Sequence, residues 1–155
     1  MIWPVLFLAL ILRIINLNQS FWLDEATQAL ISSRGVHFIL FERGGDFHPP
    51  LSYLLMNLWM MIGSSEIWIR LLSVFFGVAT VWVTYLFSKK ILDNKVALLS
   101  AFLLAVGPYH IYYSQEARMY SQATFFTALS MYFLILSLDK GKIFETLVSE
   151  NMKNY

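Results

Sequence analysis

Residues 67–113, IWIRLLSVFFGVATVWVTYLFSKKILDNKVALLSAFLLAVGPYHIYY, hold two apolar runs on either side of a short polar turn. The runs are about 67–88 and 96–113, and the turn carries Lys89, Lys90, Asp93, Asn94 and Lys95. A helix rises about 1.5 Å per residue, so each run is close to the length that crosses hydrocarbon. Lysines flanking membrane spans stay in the cytoplasm. The turn is therefore expected inside, and both far ends of the pair outside. Arg70 sits near the outer end of the first run, and Gly107-Pro108 near the outer end of the second.

Working forward, Ser114 to Gln122 is polar, with Glu116 and Arg118, and an apolar run covers about 120–138. Lys140 and Lys142 follow it, which places the tail, 139–155, in the cytoplasm. Working backward, Leu51 to Ile62 is apolar but too short to span, and it suits a helix lying in the membrane surface. If it did cross, Lys89 to Lys95 would face outside, against the charge rule. Residues 18–66 then form one outer loop, with a short helix over about 24–33. The first apolar run, about 2–17, is interrupted by Arg13. A cleaved signal peptide needs a basic start and a small-residue cleavage site. No Lys or Arg precedes this run, and Asn16-Leu17-Asn18-Gln19 is a poor site, so a retained helix is expected, with Arg13 snorkelling to the headgroups. The expected fold is all-α and polytopic, with four transmembrane helices and two outer juxtamembrane helices. Trp22, Trp59, Trp68, Tyr109, Tyr112, Tyr113 and Tyr120 all fall at the outer interface.

Composition agrees. The 155 residues are 58% hydrophobic and 14% charged, and the mean hydropathy is +0.61. A soluble domain carries about 25% charged residues. A net charge of +1 gives no electrostatic footprint for nucleic acid. The absence of cysteine removes disulfides, thiolate zinc sites and cysteine nucleophiles. With three histidines and no cysteine, a structural metal site is not expected.

The topology gathers polar groups on the outer face: Asp24-Glu25, Asp46 and His48, Arg70, and Glu116, Arg118 and Tyr120. Each has a bland reading. Asp24-Glu25 are acids that favour a helix start. His48 before Pro49-Pro50 is a turn residue. Arg70 is a snorkelling anchor. Glu116 and Arg118 form an exposed pair, and Tyr120 is a belt residue. Their joint placement at a lipid–water boundary, rather than any single residue, points to chemistry on a lipid-linked anion.

Four motifs occur in order: Trp22-Leu23-Asp24-Glu25-Ala26, Asp46-Phe47-His48-Pro49-Pro50-Leu51, Ile69-Arg70-Leu71-Leu72-Ser73, and Tyr112-Tyr113-Ser114-Gln115-Glu116-Ala117-Arg118-Met119-Tyr120. Over about 10–138 the chain resembles the amino-terminal part of the polyprenol-phosphate-sugar-dependent membrane glycosyltransferases of the GT-C fold. These include protein O-mannosyltransferases and lipid A aminoarabinose transferases. The resemblance is strongest to the branch typified by lipopolysaccharide-core galacturonosyltransferases.

The resemblance implies a catalytic cavity opening outward in the cytoplasmic (plasma) membrane. A sugar leaves polyprenyl phosphate and passes, with inversion, to a lipid, glycan or protein hydroxyl. Asp24 is implied as the base, with Glu25 positioning it or binding the acceptor. His48 is implied at the lipid phosphate, and Asp46, Arg70, Glu116, Arg118 and Tyr120 as substrate contacts. No cofactor and no essential metal are expected. The chain lacks the further spans and soluble domain of such enzymes, which leads to the expectation of a fragment, one half of a split enzyme with a second membrane subunit, or a non-catalytic polyprenyl-phosphate-binding or scaffold subunit.

Overall fold

The computed structural model describes residues 1–42 and 48–153, with side chains described as far as residue 138. Among the described residues the chain is helical and has no strand. Eight helices follow one another: α1 Trp3–Ile14, α2 Leu23–Ser33, α3 Val36–Phe41, α4 Pro50–Met60, α5 Glu66–Ile91, α6 Asn94–Val106, α7 Pro108–Gln115 and α8 Tyr120–Lys153.

Two helices are long and apolar enough to cross a membrane, Glu66–Ile91 and the 120–138 part of α8. The pair α6 and α7 qualifies as a third if it forms one span, bent by 56° at Gly107. α1 has 12 residues, about 18 Å at 1.5 Å per residue, and falls short of a span by itself. α4 is a separate 11-residue helix packed on α2, α3 and α5. The segment between α2 and α4 holds one helix that the periodicity did not separate, α3, entered through Gly35 at φ 85°. The tail is helical as far as Lys153, continuous with the last span.

α5 is the hub, packing on α1, α4, α6, α7 and α8. Ser65 caps its start by accepting from the Trp68 N–H at 3.2 Å, and Asp93 caps α6 by accepting from the Val96 N–H at 2.8 Å. One core cluster joins α1, α5 and α6 through Ala9, Ala97, Ala101, Ala105 and Val81, all fully buried. Alanines four apart on α6 let the helices approach closely, as membrane helix contacts require. A second cluster joins α2, α4 and α5 through Ala29, Met56, Ile69, Leu72 and Phe76, with Ala117 from the loop before α8. Trp59 and Trp68 stack at 4.7 Å and exchange hydrogen bonds, each indole N–H donating to the other's carbonyl. Away from these seams, Trp3, Phe7, Phe75, Trp82, Leu99, Leu103, Phe133 and Leu134 are exposed. So broad an apolar exterior has lipid as its natural solvent.

Arg13 departs from the expectation of a snorkelling side chain. It is 0% exposed and turned into the helix bundle. Its guanidinium donates to the carbonyls of Ala9 at 2.9 Å, Ala105 at 3.0 Å and Leu104 at 3.3 Å, and to the hydroxyl of Ser114 at 3.3 Å. His110 Nδ1 lies 2.5 Å away. The reason lies at the bend. In an unbroken helix the Leu104 carbonyl would accept from residue 108, which is proline and has no N–H. The Gly107 N–H reaches that carbonyl at 3.3 Å, and Arg13 adds a second donor to it, so the carbonyls at the bend stay satisfied. α7 returns the contact: Gln115 Nε2 donates to the carbonyls of Leu12 at 3.2 Å and Ile15 at 2.7 Å, at the end of α1. Gly77 leaves room for this clamp, since a Cβ there would collide with Ser114 Oγ and lie 3.2 Å from Arg13 Nε.

Candidate functional site

Connectivity puts the starts of α2, α5 and α8 and the end of α7 at one end of the bundle. Asp24 and Glu25 both lie in the first turn of α2, where the helix dipole favours acids. Successive residues on a helix point about 100° apart, and here the two carboxylates have different fates.

Glu25 is 1% exposed. Arg70 meets it with two bonds, Nε to Oε1 at 2.9 Å and Nη2 to Oε2 at 2.5 Å. The Ala117 N–H adds a third at 2.7 Å to Oε1. Arg70 also donates to the carbonyls of Leu17 at 2.9 Å, Gln19, and Ser20 at 3.3 Å. A guanidinium has five N–H donors, and Arg70 spends all of them on these five bonds. Its plane lies over the Phe21 ring, 5.1 Å from the centroid. The pair ties the α1–α2 connection, α2, α5 and the α7–α8 connection together. In this arrangement Arg70 has no N–H left for a substrate phosphate.

Asp24 keeps 48% of its side chain exposed and pairs with Arg118 through Oδ2 to Nη1 at 3.1 Å. Arg118 has donors to spare: its buried Nε has no hydrogen-bond partner. The Arg118 guanidinium also lies 5.6 Å from the centre of the Tyr120 ring, which packs on Tyr113 at 4.7 Å. Beside these pairs is a polar recess of about 360 Å³ lined by Asn16, Gln19, Ser20, Trp22, Glu25, Arg70, Tyr112, Gln115 and Glu116. Glu116 is 7% exposed and takes a hydrogen bond from the Tyr112 side chain.

Of the residues singled out from the sequence, the structure brings together Asp24, Glu25, Arg70, Glu116, Arg118 and Tyr120. His48 is half-buried and stands just before Pro50, which opens α4. Asp46 lies outside the described residues. Among the described residues no three of His, Asp and Glu are grouped to hold a metal ion. The sequence reading missed the recess walls contributed by Asn16, Gln19, Ser20 and Gln115. For Asn16, Gln19 and Ser20 the signal is the polar run after α1, which a cleavage-site test alone does not exhaust, and for Gln115 it is its place inside the fourth motif.

A larger apolar groove of about 700 Å³ runs between α1, α5 and α8, lined by Trp3, Leu10, Phe75, Trp82, Phe125 and Tyr132 among others. Fold and site together define an integral membrane protein with a charged, partly enclosed site at one end of its helices. The family model for dolichyl-phosphate-mannose-protein mannosyltransferase matches residues 47–149. The chain belongs to this family of membrane glycosyltransferases, the group its four motifs resemble. A protein of Aquifex aeolicus (strain VF5) is 31% identical over 120 residues, covering 74% of this chain. The matched stretch is 23% of that relative, so the chain spans about a quarter of its length. No solved structure matches the chain.

Proposed function

We propose that the protein transfers a sugar from a polyprenyl-phosphate donor to an acceptor hydroxyl on the extracytoplasmic face of the cytoplasmic membrane, with inversion at the anomeric carbon. The observation that carries this reading is the Asp24–Arg118 pair. It is a half-exposed carboxylate 3.1 Å from a cation with unspent donors. In the proposed step Asp24 accepts the proton of the acceptor hydroxyl. The hydroxyl oxygen bonds to the anomeric carbon. The carbon–oxygen bond to phosphate breaks, and its electron pair leaves with the phosphate. Such base catalysis is worth about 10²–10⁴-fold. Arg118 receives the charge developing on the phosphate, as a preorganised cation at a leaving group does, and His48 flanks it. Glu25 and Arg70 hold the start of α2 and the α7–α8 connection, which carry Asp24 and Arg118, in register. Tyr120 backs Arg118. No divalent metal is required, and the activity is expected to survive EDTA.

The proposed topology has four crossings, at about 2–17, 67–88, 96–113 and 120–138, and the two or three helices long and apolar enough to span support the last three. Lys89, Lys90, Lys95, Lys140 and Lys142 lie inside, and α2, α3 and α4 sit on the outer face.

The test uses the full-length protein in lipid nanodiscs with a radiolabelled polyprenyl-phosphate sugar. Asp24→Asn is expected to lower kcat at least 100-fold while donor binding and thermal stability persist. Near-normal turnover would remove Asp24 from the mechanism. Donor binding without turnover in the unaltered protein would make it a donor-binding subunit rather than an enzyme.

A further inference from the structure

The polar recess has a charge balance that bears on which sugar it accepts. Among the described residues its walls hold one cation and two carboxylates: Arg70, Glu25 and Glu116. Arg70 and Glu25 cancel each other at 2.5 Å. The ion pairs among the described residues join His37 to Glu42, Arg70 to Glu25 and Arg118 to Asp24, and none includes Glu116. Glu116 is 7% exposed, and it is met by the Tyr112 side chain, a neutral donor. Among the described residues the recess therefore carries one negative charge that no ion pair compensates. A carboxylate withdrawn from water is screened far less than one at the surface, and its field acts on whatever enters.

The rest of the lining is amide, hydroxyl, phenol and indole: Asn16, Gln19, Gln115, Ser20, Tyr112 and Trp22. Small amides and hydroxyls beside an aromatic ring suit the hydroxyl-rich faces of a sugar. At about 360 Å³ the recess is at the small end of ligand sites, which run from about 300 to 1,000 Å³. That is room for one sugar ring rather than an oligosaccharide.

We infer that Glu116 is a specificity-determining residue that makes the recess accept the donor's sugar only when that sugar lacks a carboxylate. This rests on the proposed donor class. Neutral sugars meet hydrogen-bonding groups, and an amino sugar is drawn further by the free charge. A uronic acid would set a second carboxylate within a few ångströms of Glu116, with Arg70 already saturated. The resemblance to galacturonosyltransferases would thus not extend to the sugar they transfer.

The experiment measures kcat/KM and Kd for the full-length protein in nanodiscs with three short-chain polyprenyl phosphates. These carry a neutral hexose, a 4-amino pentose and a hexuronate. Unaltered protein is expected to disfavour the uronate about 30–100-fold against the hexose, a like-charge effect at short range. Glu116→Gln should narrow that ratio to within about 3-fold, and Glu116→Asp should keep it. A ratio between donors is insensitive to how much of a variant folds. Equal use of hexose and uronate by the unaltered protein overturns the inference, as does an unchanged ratio in Glu116→Gln. Either result leaves the donor class standing. Failure to bind all three donors, and the sugar-free polyprenyl phosphate as well, overturns the donor class and this inference with it.

Discussion

Asp24 and Glu25 are chain neighbours in one helical turn, and each pairs with an arginine. The Glu25–Arg70 pair is buried and closed, and every N–H of Arg70 is spent. The Asp24–Arg118 pair is half-open, and one buried N–H of Arg118 has no partner. A saturated buried pair is a structural tie, because any substrate contact would first have to break a bond inside it. An unsaturated pair at the surface can exchange partners at little cost. The same residue types, one position apart, are thus divided between scaffold and chemistry by burial and donor count.

The sharpest way to break the comparison is to remove one member of the closed pair. Arg70→Met leaves the Glu25 charge buried and three carbonyls of the α1–α2 connection without donors. Breaking a buried pair in this way typically costs about 3–5 kcal/mol. The expected outcome is a large fall in thermal stability in detergent or nanodiscs, with loss of donor binding in the folded remainder. Changing both partners, Arg70→Met with Glu25→Gln, should recover part of the loss, since no uncompensated charge is then buried. A stable Arg70→Met protein with weakened donor affinity alone would mean that Arg70 meets substrate after all.

The membrane-protein class and the all-helical fold were legible in residues 67–113, because lysine placement and run length are properties of the chain itself. The gathering of Asp24, Glu25, Arg70 and Glu116 was legible as motifs on one face. Which carboxylate is closed and which open was not, because that depends on where the Leu17, Gln19 and Ser20 carbonyls fall after the turn at Asn16, whose φ is +69°. Arg13 was misread for a related reason. A charge near the end of an apolar run satisfies the snorkelling pattern, and nothing in the sequence says that the bend before Pro108, 95 positions away, presents carbonyls on which Arg13 docks. This second buried arginine has no carboxylate partner among the described residues, so its removal exposes backbone groups rather than a charge. Arg13→Met is expected to cost about 2–3 kcal/mol, less than the loss of Arg70. Pro108→Ala in that background should return about 1 kcal/mol, because without the proline the helix can straighten and residue 108 can donate to the Leu104 carbonyl. Unfolding of the four proteins of this cycle checks it, and strict additivity would mean that Arg13 does not serve the bend.

The smallest expected effect is on the stability of the open pair. Partly exposed ion pairs contribute about 0–1 kcal/mol. Asp24→Ala, Arg118→Ala and the double variant, unfolded under the same conditions, should give a coupling energy in that range. The value matters more than its size suggests. A base must release its resting partner to take a proton, and whatever holds Asp24 to Arg118 is added to the barrier of the step. A coupling well below that of Glu25 with Arg70 keeps Asp24 available at the cost of a factor of a few in rate. A coupling of about 3 kcal/mol would subtract more than a hundredfold, cancel much of what a general base contributes, and make the two neighbouring pairs alike as scaffold.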